Sequence, residues 1–310
     1  MNDPRPIIAE LSAVVVALGQ GEREGAPLVL TAPDGDLPTR VFDPDQHRTL
    51  ELSLRDWVSA ETGLTLGYVE QLYTFGDRVG RPGDGESAPH RISIGYLAIA
   101  REEGAAAERG LWQRWSRFFP WEDRRAGSEP VREAIAGRLA ELGRGQPAIR
   151  DRAQLSFGLG GAEWRDELVL ERYELLYELA LVPEAWRDRG GATPEALPAF
   201  GTMLPLDHRR ILATGIGRLR AKLKYRPVLF GLMPPTFTLT DLQRAAEAVS
   251  GQQLHQQNFR RMVGQSGLVE PTGGVSRRRG GRPATEYRFA AGADWEMRVN
   301  PVRFGGARQG

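Results

Sequence analysis

The sequence has 310 residues, of which 41% are hydrophobic, so it can bury two or three separate cores. It contains no cysteine, which excludes disulfides, thiolate nucleophiles and cysteine metal sites. The net charge is only +1, but residues 207–310 hold 18 Lys and Arg against 7 Asp and Glu, whereas residues 1–206 hold 23 against 33. A positive field confined to the last third of the chain indicates a polyanionic partner there.

The remaining composition excludes a metal motif and a membrane segment. The four histidines, His47, His90, His208 and His255, are too far apart in sequence to suggest a local metal site. The longest apolar run, near residues 13–18, is too short to cross a bilayer and lacks the flanks of a signal peptide. We therefore expect a cytoplasmic protein with no metal and no resident cofactor.

The first 125 residues predict a sandwich of helices and strands. Residues 11–32 contain two strand-like runs, LSAVVVALG and APLVLTA, separated by the turn-forming QGEREG. The segment TLELSLRDWVSAETGL predicts a helix that ends at Thr62-Gly63, and GYVEQLYTFGD and RISIGYLAIA predict two further strands. This order of elements indicates an α/β sandwich over residues 1–125.

The middle of the chain, residues 126–206, predicts a helical segment followed by a linker. EWRDELVLERYELLYELALVPEAW predicts one long amphipathic helix, and RGGATPEALPAF has the composition of a linker. Just before this segment, GLWQRWSRFFPWEDRR crowds five aromatic residues together. Aromatic residues at this density are typical of a core or a dimer contact, and a stacking wall for a nucleotide base is the alternative.

Residues 207–290 predict a DNA-binding unit. Its first helix, DHRRILATGIGRLRAKLKY, ends at Pro227 and is expected to pack beneath a recognition helix or at a dimer seam. A second helix begins at the capping-box pair Thr238 and Asp241, and Ser250-Gly251 supplies the turn that follows it. Residues 291–310 form a Gly- and Arg-containing tail.

The helix after this turn carries the clearest functional signal. At about 100° per residue, Leu254, Phe259, Met262 and Val263 fall on one side. The predicted DNA-contacting residues of this helix are Gln256, Gln257, Asn258, Arg260 and Arg261, of which Asn258 lies at the edge of the polar face. Gln and Arg make bidentate contacts to adenine and guanine in the major groove. His255 points toward the apolar side and is interpreted as a helix-start residue.

Two short strands complete this unit. Leu268-Val269 begins the first strand, and residues 285–289 form the second. The loop between them, VSRRRGGRPA, predicts a wing whose arginines meet phosphate or enter a minor groove. These predicted wing contacts are Arg277, Arg278, Arg279 and Arg282. Helix, turn, helix and basic hairpin in this order predict a winged helix-turn-helix.

Two parts of the chain resemble one family of regulators. AETGLTLGYVEQLYTFGD with RISIGYLAI resembles the Nudix-fold sensor half of the NrtR-type repressors, and DHRRILATGIGRLRAKLKYRPVLFGLMPPTFTLTDLQRAAEAV with NFRRMVGQSGLVEPTG resembles their DNA-binding half. The degenerate Nudix box described next makes the chain most similar to the NadQ-like branch of NAD-biosynthesis regulators. The resemblance implies an α+β protein with a Nudix-like sandwich, a helical middle segment and a C-terminal winged helix-turn-helix.

The helix that would carry the Nudix box lacks the residues for hydrolysis. The box is G-x5-E-x7-R-E-U-x-E-E-x-G-U, and its clustered glutamates hold Mg²⁺ against a diphosphate. Aligning Glu61-Thr62-Gly63-Leu64 with its end places Arg48, Trp57 and Ala60 where three of the glutamates would stand. We therefore expect no pyrophosphohydrolase activity, no catalytic residues and a surface role for Glu61.

The resemblance implies a dimeric transcriptional repressor of NAD-metabolism genes that binds a palindromic operator. The expected effector is ATP, ADP-ribose or an NAD-related nucleotide, with Arg78 and Arg81 meeting its phosphates and Trp121 stacking on its adenine. Two alternatives stay open at this point. One is a Nudix hydrolase with an auxiliary nucleic-acid-binding domain, and the other is a non-specific nucleic-acid binder that uses only the Arg-rich wing.

Overall fold

The computed structural model describes residues 6–20, 24–76, 89–102, 104–109, 111–125, 127–223, 228–276 and 283–290. Among the helices in these ranges, none combines the length and the apolar character needed to span a bilayer. The predicted contacts Arg78, Arg81, Arg277, Arg278, Arg279 and Arg282 and the tail 291–310 lie outside the described residues.

The N-terminal part is built on one mixed sheet. Its strands are Ile7–Leu18 (β1), Pro27–Leu30 (β2), Thr39–Val41 (β3), Val69–Phe75 (β4), His90–Ile99 (β5) and Trp112–Arg114 (β6). The order is β4-β5-β1-β2-β6, and β3 also pairs with β1. The long central pair is parallel, with Val14 opposite Leu97. Leu11 through Ala17 are buried without alternation because both faces of this strand are covered. The four strands predicted in this part are confirmed.

Helices cover both faces of the sheet and extend beyond it. In chain order they are Leu50–Thr62 (α1), Gly104–Glu108 (α2), Glu129–Leu142 (α3), Pro147–Phe157 (α4), Val169–Glu178 (α5), Pro183–Asp188 (α6) and His208–Leu223 (α7), with short 3-10 helices at Trp115–Arg117 and Pro120–Glu122. On one face, Leu54 and Val58 of α1 enter a core with the inward residues of β1. Thr49 caps the start of α1. Gly63 ends the helix with φ of 72°, where the sequence predicted its end.

The other face of the sheet is covered by α7. Ile211 lies against Gly95 of β5, and a side chain at Gly215 would overlap Val14 of β1, so the helix backbone lies close to the strand. Ile211, Ile216 and Val14 belong to one buried cluster. The sequence pattern groups α7 with the DNA-binding unit, but in the structure it forms the second helical layer of the sandwich. Its small residues permit this close packing.

The predicted long helix of the middle segment is divided into α5 and α6. Ala180 has a positive φ of 56°, and Pro183 begins α6, so the helical backbone cannot continue between them. The aromatic residues before this segment form core, as the first interpretation of their density expected: Trp112, Trp115 and Phe119 are at most 1% exposed.

The C-terminal part follows the predicted order of elements. After a 3-10 helix at Val228–Gly231, it contains Leu239–Ser250 (α8), Gln256–Gln265 (α9), Val269–Ser276 (β7) and Ala284–Phe289 (β8). The strands β7 and β8 pair antiparallel, with Val269 opposite Phe289. The fold is therefore α+β, with a sandwich, a helical middle and a helix-turn-helix followed by a hairpin.

Candidate nucleic-acid interface and effector cleft

The helix α8 is fixed at both ends by its own residues. The Asp241 amide donates to Thr238 Oγ1 at 3.2 Å and the Thr238 amide donates to Asp241 Oδ2 at 2.9 Å, which completes the predicted capping box. At the other end Gly251 has a φ of 69°, and its amide donates to the Glu247 carbonyl. Leu242 is buried beneath the helix. A capped and packed α8 is a rigid support for the helix that follows.

The helix α9 has one apolar face and one polar face. Phe259 and Val263 are 3% and 1% exposed and pack into the core. The exposed residues of α9 are Gln256, Gln257, Asn258, Arg260, Arg261, Gly264 and Gln265. All five side chains predicted to read DNA from this helix are therefore presented to solvent. An exposed face of Gln and Arg has the donors and acceptors that base edges require.

Among the described residues, the two arginines of α9 make weak hydrogen bonds. Arg260 Nη2 lies 3.5 Å from Thr240 Oγ1, and Arg261 Nη2 lies 3.4 Å from Asn258 Oδ1. Hydrogen bonds at this length are weak, so each guanidinium can turn toward another acceptor at little cost. His255 is the N-cap, as a helix-start residue, but its ring is exposed rather than turned to the apolar side. Its backbone conformation is extended, as is usual for an N-cap.

The hairpin after α9 is anchored to the segment before α8. Phe237 and Tyr287 exchange two backbone hydrogen bonds, of 3.0 and 2.8 Å, and form a single antiparallel bridge beside the two-stranded sheet. Phe237 also contacts Phe289, with ring centroids 4.6 Å apart. This bridge could not be predicted from the sequence, because a single bridge residue carries no alternating pattern. The anchor holds the base of the predicted wing beside the two helices.

A buried cluster of charge connects this unit to the rest of the chain. Arg172 of α5 donates to both carboxylate oxygens of Glu122, at 2.6 and 2.9 Å, and Arg220 of α7 also pairs with Glu122. All three side chains are 0% exposed. Arg220 Nε donates to the carbonyl of Val249, near the end of α8, at 2.8 Å. We call Glu122, Arg172 and Arg220 the buried triad.

The electrostatics of the buried triad favour the charged form of Glu122. Burial alone would raise the pKa of Glu122, but the two adjacent guanidiniums outweigh this and hold that pKa below its ordinary value. The second positive charge is solvated by backbone carbonyls, including those of Ser156 and Asp166, which accept from the two arginines. The Arg124 amide donates to the Gly251 carbonyl at 2.7 Å, so the turn after α8 is tied to the same segment.

A cleft of about 920 Å³ opens beside α1 in the N-terminal sandwich. Its floor is formed by Glu10 and Arg91 from the central strands, and its walls include Trp57 and Ala60 of α1. The remaining lining residues are Thr39, Arg40, Val41, Phe42, Asp43, Pro44, Gln46, His47, Ser53 and Asp56. Trp57 and Ala60 stand where Nudix glutamates would stand, so the altered positions face this cleft.

Three buried polar atoms in this cleft lack a hydrogen-bond partner among the described residues. They are Trp57 Nε1, His47 Nδ1 and Arg91 Nε. Buried polar groups are nearly always hydrogen-bonded in folded proteins, so these three nitrogens are the unsatisfied polar atoms of the cleft residues that the structure describes. His47 Nε2 lies 3.1 Å from Asp56, and Arg91 pairs with Glu10 through its other nitrogen. These pairs hold the two side chains in place.

The carboxylates of α1 do not converge on a metal site. Glu61 is 57% exposed and lies 3.6 Å from Arg40, so it is a surface carboxylate as predicted. Within the described ranges, no three His, Asp or Glu side chains lie close enough together to hold a metal ion. The cleft is lined by arginine, histidine and tryptophan side chains and also by the carboxylates of Glu10, Asp43 and Asp56.

Comparison with known proteins identifies the C-terminal unit. Residues 229–289 match the model of the NrtR DNA-binding winged helix domain. These residues form an NrtR-type winged helix domain. Among curated proteins, the chain is 44% identical over 87 residues to the ADPR responsive transcriptional repressor NtrR of Acinetobacter baylyi. That match covers 28% of this chain and 34% of the relative, about a third of its length.

Solved structures share the fold over nearly the whole chain. Shewanella oneidensis NrtR complexed with a 27mer DNA superposes with a TM-score of 0.54 at 18% identity, covering 93% of this chain and 95% of that one. A MutT/nudix family protein from Enterococcus faecalis gives 0.50 at 15% identity, with 93% and 89% covered. At these identities the likeness shows the fold, a Nudix-like domain joined to a winged helix.

The burial of Trp121 corrects one of the predicted effector contacts. Trp121 is 0% exposed, with its ring 5.7 Å from that of Phe119 in an edge-to-face contact and 5.5 Å from the Arg209 guanidinium. The prediction that Trp121 stacks on an adenine is therefore wrong, because neither face of its ring is free. Dense aromatic residues are more often core than ligand platform. The tryptophan that does face the cleft is Trp57, which was not among the predicted effector contacts.

Proposed function

We propose that this chain is a DNA-binding transcriptional repressor of NAD-metabolism genes. The observation that carries the proposal is the exposed Gln and Arg face of α9, supported by a capped α8 within an NrtR-type winged helix domain. Helix-turn-helix proteins place such a face in the major groove and contact phosphates with the flanking elements. The positive charge of residues 207–310 supplies the non-specific part of the affinity.

We further propose that the protein is a cytoplasmic homodimer and that it binds a palindromic operator. Two copies of α9 related by two-fold symmetry would contact two half-sites, so the symmetry of the operator would mirror that of the protein. On this view the affinity for DNA depends on the distance between the two copies of α9. A ligand that alters the orientation of the winged helix domain would therefore alter binding.

The proposed effector is an adenine nucleotide or an NAD-related nucleotide bound in the cleft beside α1. Trp57 Nε1 and Arg91 Nε are donors suited to phosphate and ribose oxygens. In a neutral His47 ring whose Nε2 donates to Asp56, Nδ1 is an acceptor suited to a ribose hydroxyl. Arg40, at the rim, adds a second guanidinium for a diphosphate. The Acinetobacter relative is ADPR responsive, which makes ADP-ribose the first compound to test, followed by ATP and NAD.

The buried triad gives this proposal a route between the two sites. Glu122 contacts α5 through Arg172 and α7 through Arg220, and Arg220 holds the end of α8 through the Val249 carbonyl. The helix α7 in turn lies on the sheet that forms the floor of the cleft. An effector must bind one arrangement of these elements more tightly than another, since equal affinity shifts no equilibrium.

A titration with and without effector tests the proposal. Fluorescent duplexes covering the DNA upstream of NAD-synthesis genes would be bound by the full chain, in competition with unrelated DNA, and then titrated with ADP-ribose, ATP and NAD. A specific repressor keeps an affinity advantage of about 10³ or more over unrelated DNA. Equal affinity for the upstream DNA and for unrelated DNA would indicate a non-specific binder that uses only the Arg-rich wing.

A hydrolase with an auxiliary nucleic-acid domain is the competing function. The Enterococcus MutT/nudix neighbour has the same fold, so the fold alone does not decide between them. The residues on α1 argue against it, because Trp57 and Ala60 replace two metal-binding carboxylates. Metal-dependent turnover of ADP-ribose that disappears in Glu61→Gln would establish hydrolase activity. It would overturn the proposal that the chain is a repressor with no catalytic activity.

A further inference from the structure

Gly264 is an exposed glycine inside the helix α9. A Cβ atom placed at this position would meet no described atom within 4 Å outside the adjoining residues and the backbone of its own helix. Its backbone is helical and needs no positive φ, so neither space nor conformation within the fold requires a glycine. Glycine is nonetheless a poor residue for a helix, because it loses more conformational freedom on folding than alanine does. The fold alone therefore does not account for it.

The position of Gly264 is the centre of the polar face. At about 100° per residue, it lies between the directions of Arg260 and Gln257, one turn beyond Arg260 along the helix axis. Gln257 and Arg260 are themselves exposed. Both residues lie on the N-terminal side of Gly264, seven and four positions earlier, so the last turn of the polar face has helix backbone without a side chain at its centre. A partner on this face can approach the backbone more closely at Gly264 than at positions that carry a side chain.

We infer, resting on the proposed function, that Gly264 is a specificity-determining position where the wall of the major groove meets the backbone of α9. Without a Cβ, the helix can enter the groove far enough for Gln257 and Arg260 to reach base edges with good geometry. A side chain here would act as a spacer and would lengthen those hydrogen bonds, which weaken steeply beyond their normal distance. The loss of affinity therefore grows with the size of the residue introduced.

The test compares Gly264→Ala and Gly264→Leu with the wild-type full chain. The probe is the duplex that the wild type selects from a random-sequence library, with a scrambled duplex of the same composition beside it. Gly264→Ala is expected to raise the Tm by about 1–3 °C while it lowers affinity for the selected duplex about fivefold or more. Gly264→Leu should lower affinity further. Since no charge is removed, the slope of affinity against salt should stay unchanged.

Gly137 provides the matched control. It is an exposed glycine inside α3, where an added Cβ would also meet no other atom within 4 Å, and it lies outside the DNA-binding domain. Gly137→Ala should raise the Tm by a similar amount and leave DNA affinity unchanged. If Gly264→Ala binds the selected duplex as tightly as the wild type, the inference is overturned. If the wild type selects no sequence at all, the proposed function fails first, and the two failures are thereby distinguished.

Discussion

At the scale of single residues, Glu122 is the buried carboxylate that two buried guanidiniums share. Its carboxylate is the counter-charge of two guanidiniums that are themselves fully buried, and its backbone carbonyl accepts from Arg220 at 3.0 Å. A buried charge is tolerated only when it is paired and hydrogen-bonded. Removing Glu122 would therefore leave Arg172 and Arg220 facing each other without compensation.

We predict that Glu122→Gln destabilises the protein by about 3–5 kcal/mol, the usual result of breaking a buried ion pair from one side. Urea unfolding followed by circular dichroism would measure the free energy of unfolding. Glu178→Gln is the control, because Glu178 makes a similar pair with Arg152 in which both side chains are about half exposed. Exposed pairs contribute about 0–1 kcal/mol. Equal effects in the two variants would show that the buried triad contributes no more than a surface pair.

The same residue predicts a pH dependence of stability. Because the pKa of Glu122 lies below its ordinary value of 4.5, the unfolded chain binds this proton more readily than the folded one. The stabilisation is therefore fully present above about pH 4.5 and is lost as the pH falls below it. The difference in unfolding free energy between wild type and Glu122→Gln should narrow as the pH falls from about 6 to about 3. A constant difference would contradict the prediction.

At the scale of elements, the recognition helix and its wing make different contributions to binding. Arg260→Ala is expected to reduce discrimination between the operator and unrelated DNA by about 1–3 kcal/mol, because it removes a base contact. Arg278→Ala, in the predicted wing, should weaken binding to all sequences alike and reduce the salt dependence. Competition binding at several salt concentrations measures both quantities.

Arg138→Ala is the control for this comparison. Arg138 lies on α3, where it pairs with Glu141 on the protein surface, so the substitution removes one positive charge outside the DNA-binding domain. Its effect on DNA affinity should be small at every salt concentration. Should Arg260→Ala resemble Arg278→Ala instead, α9 would not be the element that reads sequence.

Elements with a local signal could be predicted from the sequence, and those defined by distant contacts could not. The capping box at Thr238 and the glycine at Gly251 mark the ends of α8 by their own chemistry, so its bounds were predicted closely. The position of α7 depends on the surface against which its small residues pack. Gly215 packs against Val14, which lies about two hundred positions earlier in the chain, so no local pattern predicts this contact. The break between α5 and α6 needed the conformation of Ala180.

Distance along the chain also explains what was missed in the candidate sites. The polar face of α9 follows from helical periodicity alone, and the structure exposes it as expected. The triad could not be found, because Glu122, Arg172 and Arg220 are spread along the chain and each resembles an ordinary surface charge in sequence. In the sequence Trp57 is only a residue at a lost catalytic position, and the structure places it in the lining of the cleft.

At the scale of the whole molecule, the cleft and the polar face of α9 lie in different parts of the chain, and packed helices connect them. The acidic N-terminal sandwich holds a cleft lined by donors, and the basic C-terminal domain presents the face of α9. The helix α7 touches both, since Ile211 packs on the sheet and Arg220 reaches the end of α8. A change of shape at the cleft thus has a continuous packed path to the DNA-binding domain.

This arrangement predicts that effector binding is linked to global stability and depends on the Trp57 indole. At about 100 times its Kd, ADP-ribose or another true effector should raise the unfolding free energy by about 2.7 kcal/mol through mass action.

Trp57→Phe keeps an aromatic ring in the cleft but removes the donor, and it should weaken effector binding by about tenfold, as expected for the loss of a hydrogen bond to a charged acceptor. Trp121→Phe is the matched control, because it also removes a partnerless indole donor but from the buried core. Isothermal titration of the three proteins separates the possibilities: a loss confined to Trp121→Phe would return the effector to the aromatic segment and exclude the cleft, whereas a loss confined to Trp57→Phe places the nucleotide beside α1.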